Sequence, residues 1–167
     1  MKPVSLALIG FMASGKSTVG RRLADRLALP FIDLDDLIER REGASVSELF
    51  RERGELGFRA AEREALEAVL AGPPAVLACG GGASCQPGAM DALRGWGRTV
   101  FLDVSLEALR RRLSGGDDAR PLWDEDVALR YMERQASYRS ADWIVDGGQP
   151  PEGVAAAIVR ALEESGE

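Results

Sequence analysis

The segment Gly10-Phe11-Met12-Ala13-Ser14-Gly15-Lys16-Ser17 constrains this chain more than any other. It fits the pattern G-x-x-x-x-G-K-[ST] between an apolar run, Val4 to Ile9, and a stretch of helical periodicity in which Val19, Leu23 and Leu27 recur every four residues. A strand, a glycine-bounded loop and a helix in that order let several backbone N–H groups point at one anion, and the helix N-terminus adds its positive end. Lys16 then supplies a mobile charge near the β- and γ-phosphates of a nucleotide, and the Ser17 hydroxyl is a ligand for Mg²⁺. Ser14, Gly15, Lys16, Ser17 and Thr18 are the expected nucleotide contacts. A glycine turn with an exposed lysine would need neither the strand nor the helix.

The rest of the chain repeats this alternation. Pro30 ends the first helix, and Phe31-Ile32-Asp33 predicts a second strand. Leu34 to about Arg53 predicts two short helices broken at Gly43, with Ser45 and Glu48 in a capping-box pattern. Glu55 to Leu70 predicts a longer helix with Phe58, Ala61, Ala65, Ala68 and Val69 on one face. Further strands are expected at Ala75–Ala78, Thr99–Leu102 and Trp143–Val145, and helices from Ser105 to about Arg112 and over Asp124–Arg139. In the last helix Val154, Ala157, Ile158, Ala161 and Leu162 share a face. Short apolar strands alternating with amphipathic helices predict an α/β three-layer sandwich: a five-stranded parallel sheet with helices on both faces, of the P-loop NTPase type, in one domain over 1–167. Ligands on such sheets bind at the carboxyl ends of the strands, so the scattered motifs should meet along one edge.

Composition removes several chemistries. The formal net charge of −6 argues against a protein that coats nucleic acid. No histidine occurs, so a catalytic base has to be a carboxylate, lysine, tyrosine or water. Cys79 and Cys85 are too few for a disulfide framework or a zinc site and read as free thiols in a reducing cytosol. The apolar stretch ending at Gly10 is too short to span a membrane and has no signal-cleavage pattern, so the expected location is cytoplasmic.

Other candidates are carboxylates and arginines. Asp33 and Asp35, two apart in an extended segment, would point together into the crevice, while helix capping by Asp35 or Asp36 accounts for the pattern equally well. The third strand carries no aspartate, which leaves Asp33 as the carboxylate near the metal. Arg59 and Glu62, three apart on a helix, read on their own as a solvated surface pair. Gly80-Gly81-Gly82 is either a plain turn or a place where a ligand approaches the backbone closely. Arg120 sits in the polar 114–126 segment, expected to be a lid over the nucleotide, and Arg134 lies in a helix where a lone arginine is usually solvated.

Taken together, the ordered set resembles the shikimate kinase family from about residue 4 to residue 160. The likeness is carried by GFMASGKSTVG (Gly10–Gly20), FIDLDDLIE (Phe31–Glu39), GFRAAE (Gly57–Glu62), GGG (Gly80–Gly82), ARPL (Ala119–Leu122) and YMERQASYRSAD (Tyr131–Asp142). Ala13 stands where that family often has glycine. The resemblance implies ATP and Mg²⁺ as cofactors and shikimate as acceptor in an acceptor-binding region of about 34–62. Asp35 would bind the ring hydroxyls and serve as base. Arg59 and Arg134 would hold the carboxylate, and Gly81 and Gly82 would touch the acceptor. Asp33 and Ser17 would sit at the metal, Arg112 at the adenine, and Lys16 and Arg120 at the transferring phosphoryl group. A monomer acting on small molecules is expected, without nucleic acid or membrane. A P-loop kinase for gluconate or a nucleoside monophosphate, or a nucleotide-binding module without catalysis, are the alternatives.

Overall fold

In the computed structural model, which describes residues 4–114 and 126–166, strand β1 (Ser5–Ile9) sends Leu6 and Leu8 to one face and Ala7 and Ile9 to the other. All four are fully buried, as a central strand covered on both faces requires. Each large side chain removed from water in this way contributes about 1.5–3 kcal/mol. The remaining strands are β2 (Phe31–Asp33), β3 (Val76–Ala78), β4 (Gly97–Asp103) and β5 (Trp143–Asp146). They form one parallel sheet in the order β2-β3-β1-β4-β5, with Ala7 of β1 in register with Leu77 and Thr99. The α/β class and the five parallel strands expected from the sequence are present.

Two helices, α1 (Lys16–Leu27) and α7 (Pro151–Ser165), cover the Leu6/Leu8 face through Val19, Leu23, Val154 and Ile158. The Ala7/Ile9 face is covered by α2 (Leu34–Glu42), α3 (Val46–Leu70), α4 (Ala89–Trp96), and the buried residues of α5 (Leu106–Ser114) and α6 (Val127–Arg139). The capping box on α3 is present: Ser45 Oγ accepts from the Glu48 N–H, and the Glu48 carboxylate accepts from the Ser45 N–H. Gly43 closes α2 in the left-handed region, and Gly54 (φ 69°, ψ −177°) kinks α3 into the two helices expected on either side of it. Among the described residues, no helix is long and apolar enough to cross a membrane.

Several details differ from expectation. The first helix stops at Leu27 because Ala28 turns left-handed (φ 53°), two residues before Pro30. Strand β4 is longer than Thr99–Leu102, and β3 omits Ala75. Ala68 and Ala157 are exposed and Ala155 is buried instead, since a small alanine at the edge of an apolar stripe can lie on either side of it. Helix α4 was not anticipated: it is eight residues long and buries only Ala89 and Leu93, too few positions for periodicity to register. Asp124 and the segment carrying Arg120 lie outside the described residues.

Candidate active site

Because every strand runs the same way, the phosphate loop after β1, Asp33 at the end of β2 and Gly80-Gly81-Gly82 after β3 lie at one edge of the sheet. The loop starts at Gly10 (φ 148°) and enters α1 through Gly15 (φ 97°). Ala13 between them also has positive φ (62°), a conformation that costs a residue with a Cβ about 1–2 kcal/mol relative to glycine. The loop is tightly self-bonded. Lys16 is buried, and its Nζ donates to the carbonyls of Gly10 (2.8 Å) and Phe11 (2.9 Å) and to Ser14 Oγ (3.4 Å). Thr18 is exposed at the start of α1. Arg112 reaches over from α5, donating to the Ala13 carbonyl (3.0 Å) and the Gly147 carbonyl (2.8 Å). It thereby links the loop to the turn after β5.

The aspartates divide their tasks differently from the sequence reading. The cap of α2 is Asp33, not Asp35 or Asp36: its Oδ1 accepts from the N–H groups of Asp35 (3.1 Å) and Asp36 (3.3 Å). Its Oδ2 accepts from Ser17 Oγ at 2.5 Å. Asp35 is already in the first turn of α2, so the two carboxylates converge through a capped helix start rather than along an extended strand. A hydroxyl and a carboxylate oxygen side by side are the hard donors that suit Mg²⁺. Among the described residues no group of three or more metal-ligating side chains exists. Mg²⁺ binds through one or two carboxylates together with waters and phosphate oxygens, so the pair fits it.

On the acceptor side, three consecutive glycines each lie under a different charged side chain. A Cβ built on Gly80 would fall 2.9 Å from Asp35 Oδ1 and 3.1 Å from Glu62 Oε2; on Gly81, 3.4 Å from Arg134 Nη1; on Gly82, 2.5 Å from Arg59 Nη2. Asp35, Arg59 and Arg134 therefore converge, although they come from α2, α3 and α6. The triplet forms a turn, with the Ala83 N–H donating to the Gly80 carbonyl at 3.1 Å, and charged side chains approach its backbone closely. The surface-pair reading of Arg59 and Glu62 is corrected: their side chains are 11% and 3% exposed and joined at 2.7 Å. Burial pushes the Glu62 carboxyl above the ordinary value, opposed by the adjacent Arg59. Arg134 is likewise not a solvated arginine. Its guanidinium lies 5.6 Å over the Phe11 ring, and its Nη1 is buried without a hydrogen-bond partner among the described residues. Arg59 Nε also makes no hydrogen bond among the described residues, but it lies 3.7 Å from Glu55 Oε1 in an ion pair. Two guanidinium groups lining one crevice, one of them with an unspent Nη1 donor, suit a planar carboxylate.

Two cavities meet here. One, of about 450 Å³, runs from the phosphate loop past Arg112 to Gly147, Gln149 and Pro151. The other, of about 570 Å³, is walled by Phe50, Phe58, Arg59, Glu62, Gly82 and Arg134. They share Met12, Ser17, Asp33, Asp35, Gly80 and Gly81, so a group in one reaches a group in the other across Asp35. Sequence reasoning gave no site role to Met12, to the stacked Phe50 and Phe58 (4.4 Å apart), or to Tyr138, whose hydroxyl donates to the Gly81 carbonyl. For Tyr138 a signal existed, since it lies one helical turn from Arg134. Cys79, the thiol beside these groups, is buried and pushed up to about 12 by burial; it and Cys85 are free, as expected.

Comparison with known proteins agrees with this arrangement. The family model for shikimate kinase matches residues 12–163. A shikimate kinase from Paramagnetospirillum magneticum is 40% identical over 95% of this chain and 83% of its own. The crystal structure of shikimate kinase from Bacteroides thetaiotaomicron superposes with a TM-score of 0.89 at 36% identity, covering 96% of this chain and 98% of that one. The enzyme from Acinetobacter baumannii, solved in complex with shikimate, gives a TM-score of 0.89 at 32% identity over 97% and 94% of the two chains. A match that takes in the phosphate loop, the glycine triplet and the helix of Arg134 alike leaves one conclusion: this chain belongs to the shikimate kinase family.

Proposed function

We infer that the chain transfers the γ-phosphoryl group of ATP to the 3-hydroxyl of shikimate, giving ADP and shikimate 3-phosphate. The observation that carries the reading is the convergence of Asp35, Arg59 and Arg134 on Gly80-Gly81-Gly82, beside the cavity of the phosphate loop. Arg59 and Arg134 would grip the carboxylate with their guanidinium groups, and Gly81 and Gly82 would let the ring approach the backbone. Ser14, Gly15, Lys16, Ser17 and Thr18 would cradle the ATP phosphates, with Arg112 at the adenine.

Asp35 would orient the 3-hydroxyl and accept its proton as that oxygen bonds to the γ-phosphorus. The bond from the γ-phosphorus to the bridging oxygen breaks, and ADP leaves with those electrons. Lys16 would hold the β- and γ-phosphate oxygens in line with the acceptor and offset their charge. Ser17 and Asp33 would hold Mg²⁺, which when bound draws charge from the phosphate oxygens. Arg120, outside the described residues, takes its role at the phosphoryl group from the family resemblance alone. The reading includes a monomer in the cytoplasm.

A gluconate or nucleoside monophosphate kinase would use the same phosphate loop, and each of those acceptors also carries an anion that two half-buried arginines can bind, so the acceptor itself has to be compared by turnover. ADP release measured with shikimate, quinate, gluconate and nucleoside monophosphates in parallel tests the assignment, with shikimate expected to be turned over most efficiently. Arg134→Ala should raise the KM for shikimate about 10- to 100-fold and leave that for ATP within about two-fold. Equal turnover of the acids, or an unmoved shikimate KM, would overturn the reading.

A further inference from the structure

A glycine triplet that lets four charged side chains approach is also the least constrained backbone available, since glycine loses more conformational freedom on folding than any other residue. Something has to hold it. Tyr138 on α6 is completely buried, its ring stacks on Phe101 of β4 at 5.2 Å with 27° between the planes, and its O–H donates to the Gly81 carbonyl. All peptide bonds in the described residues are trans. In a planar trans peptide, fixing the Gly81 carbonyl also fixes the direction of the Gly82 N–H. Tyr138 lies four residues after Arg134, so both face the triplet from one side of one helix.

We propose that Tyr138 is a positioning residue for the phosphoryl transfer: its hydroxyl locks the Gly81–Gly82 peptide so that the backbone and the Arg134 guanidinium meet the acceptor carboxylate in one fixed geometry. It does not touch the reacting atoms. The inference rests on the acceptor reading above and deepens it. Two further observations support it. Burial pushes the phenol well above the ordinary tyrosine range, so it remains a donor throughout the working pH. The same residue adjoins the phosphate loop on its other side, because a Cβ built on Gly81 would lie at contact distance, 3.5 Å, from the Met12 N. A displaced triplet would therefore crowd the loop or loosen Arg134.

The test is Tyr138→Phe, which removes the hydroxyl and keeps the stacked ring. Tyr131→Phe on the same helix is the control, because its hydroxyl donates to the Val104 carbonyl (2.9 Å), away from the triplet. Tyr138→Phe should raise the KM for shikimate about ten-fold while the KM for ATP stays within about two-fold, since a half-buried carbonyl is left without its donor. Tyr131→Phe should leave both unchanged. An unmoved shikimate KM in Tyr138→Phe overturns the inference. So does a parallel rise in both KM values, an equal effect of Tyr131→Phe, or loss of the folded state on thermal melting, since each assigns the hydroxyl to general stability. The wild-type chain measured alongside separates the two levels. If it fails to phosphorylate shikimate, the acceptor reading fails and this inference goes with it; if it turns shikimate over, failure belongs to Tyr138 alone.

Discussion

The two halves of the site are built on opposite principles. The phosphate side is contiguous in sequence and largely satisfies itself: Lys16 is held by carbonyls of its own loop, and Asp33 ties Ser17 to the cap of α2. The acceptor side is assembled from α2, α3, α6 and the turn after β3, and it keeps a donor in reserve, Arg134 Nη1. Any nucleotide phosphate can be cradled by backbone N–H groups, so that half needs little more than loop geometry. Choosing one acid requires side chains at fixed positions, which only the tertiary fold can supply. Generality is encoded locally here and selectivity globally.

Substitutions can break this contrast. The largest effect is expected from Lys16→Met, which should lower kcat about 10³-fold while leaving shikimate binding, measured by calorimetry, within about two-fold. Loss of shikimate binding together with turnover would show that the halves are not separable. Next is Gly82→Ala. The backbone there (φ −102°, ψ −4°) accepts alanine, but its Cβ would overlap the movable end of Arg59. The shikimate KM should rise about ten-fold, with the thermal midpoint and the ATP KM nearly unchanged. A large fall in stability would mean that the triplet supports the fold instead of the ligand.

The smallest effect is a pH dependence. Burial holds the folded Glu62 carboxyl above its ordinary 4.5, so the folded state binds more protons there than the unfolded one. Its contribution to stability therefore falls as pH rises from 4.5 through the raised value. In Glu62→Gln this slope should disappear from thermal midpoints measured across that range. An unchanged slope would place its origin elsewhere.

Legibility followed the same division. Gly10 to Ser17 announced strand, loop and helix because the whole device fits in eight neighbouring residues. The alternation of strands and helices was readable because the sheet is covered on both faces and its strands are uniformly apolar. Arg59 and Glu62 were misread as exposed because a three-residue spacing shows that two side chains can touch and says nothing of what lies above them. What lies against them is the glycine triplet, far along the chain from both: Gly80 meets Glu62 and Gly82 meets Arg59. Asp33 as the cap was missed for a related reason: the strand was read over its observed residues, Phe31–Asp33, but the extended backbone was carried on to Asp35, whereas α2 already begins at Leu34. Asp35, Arg59 and Arg134 were recognised as a set through family likeness, since no local rule unites positions so far apart.

The six residues common to both cavities form a narrow border between them. On the far side of that border Phe50, Phe58 and Arg59 line only the second of the two cavities, whereas Arg134 also packs over the Phe11 ring of the phosphate loop. A designer seeking a kinase for a different carboxylated ring would keep the border and rewrite the far wall, treating this fold as a fixed engine with an exchangeable chuck.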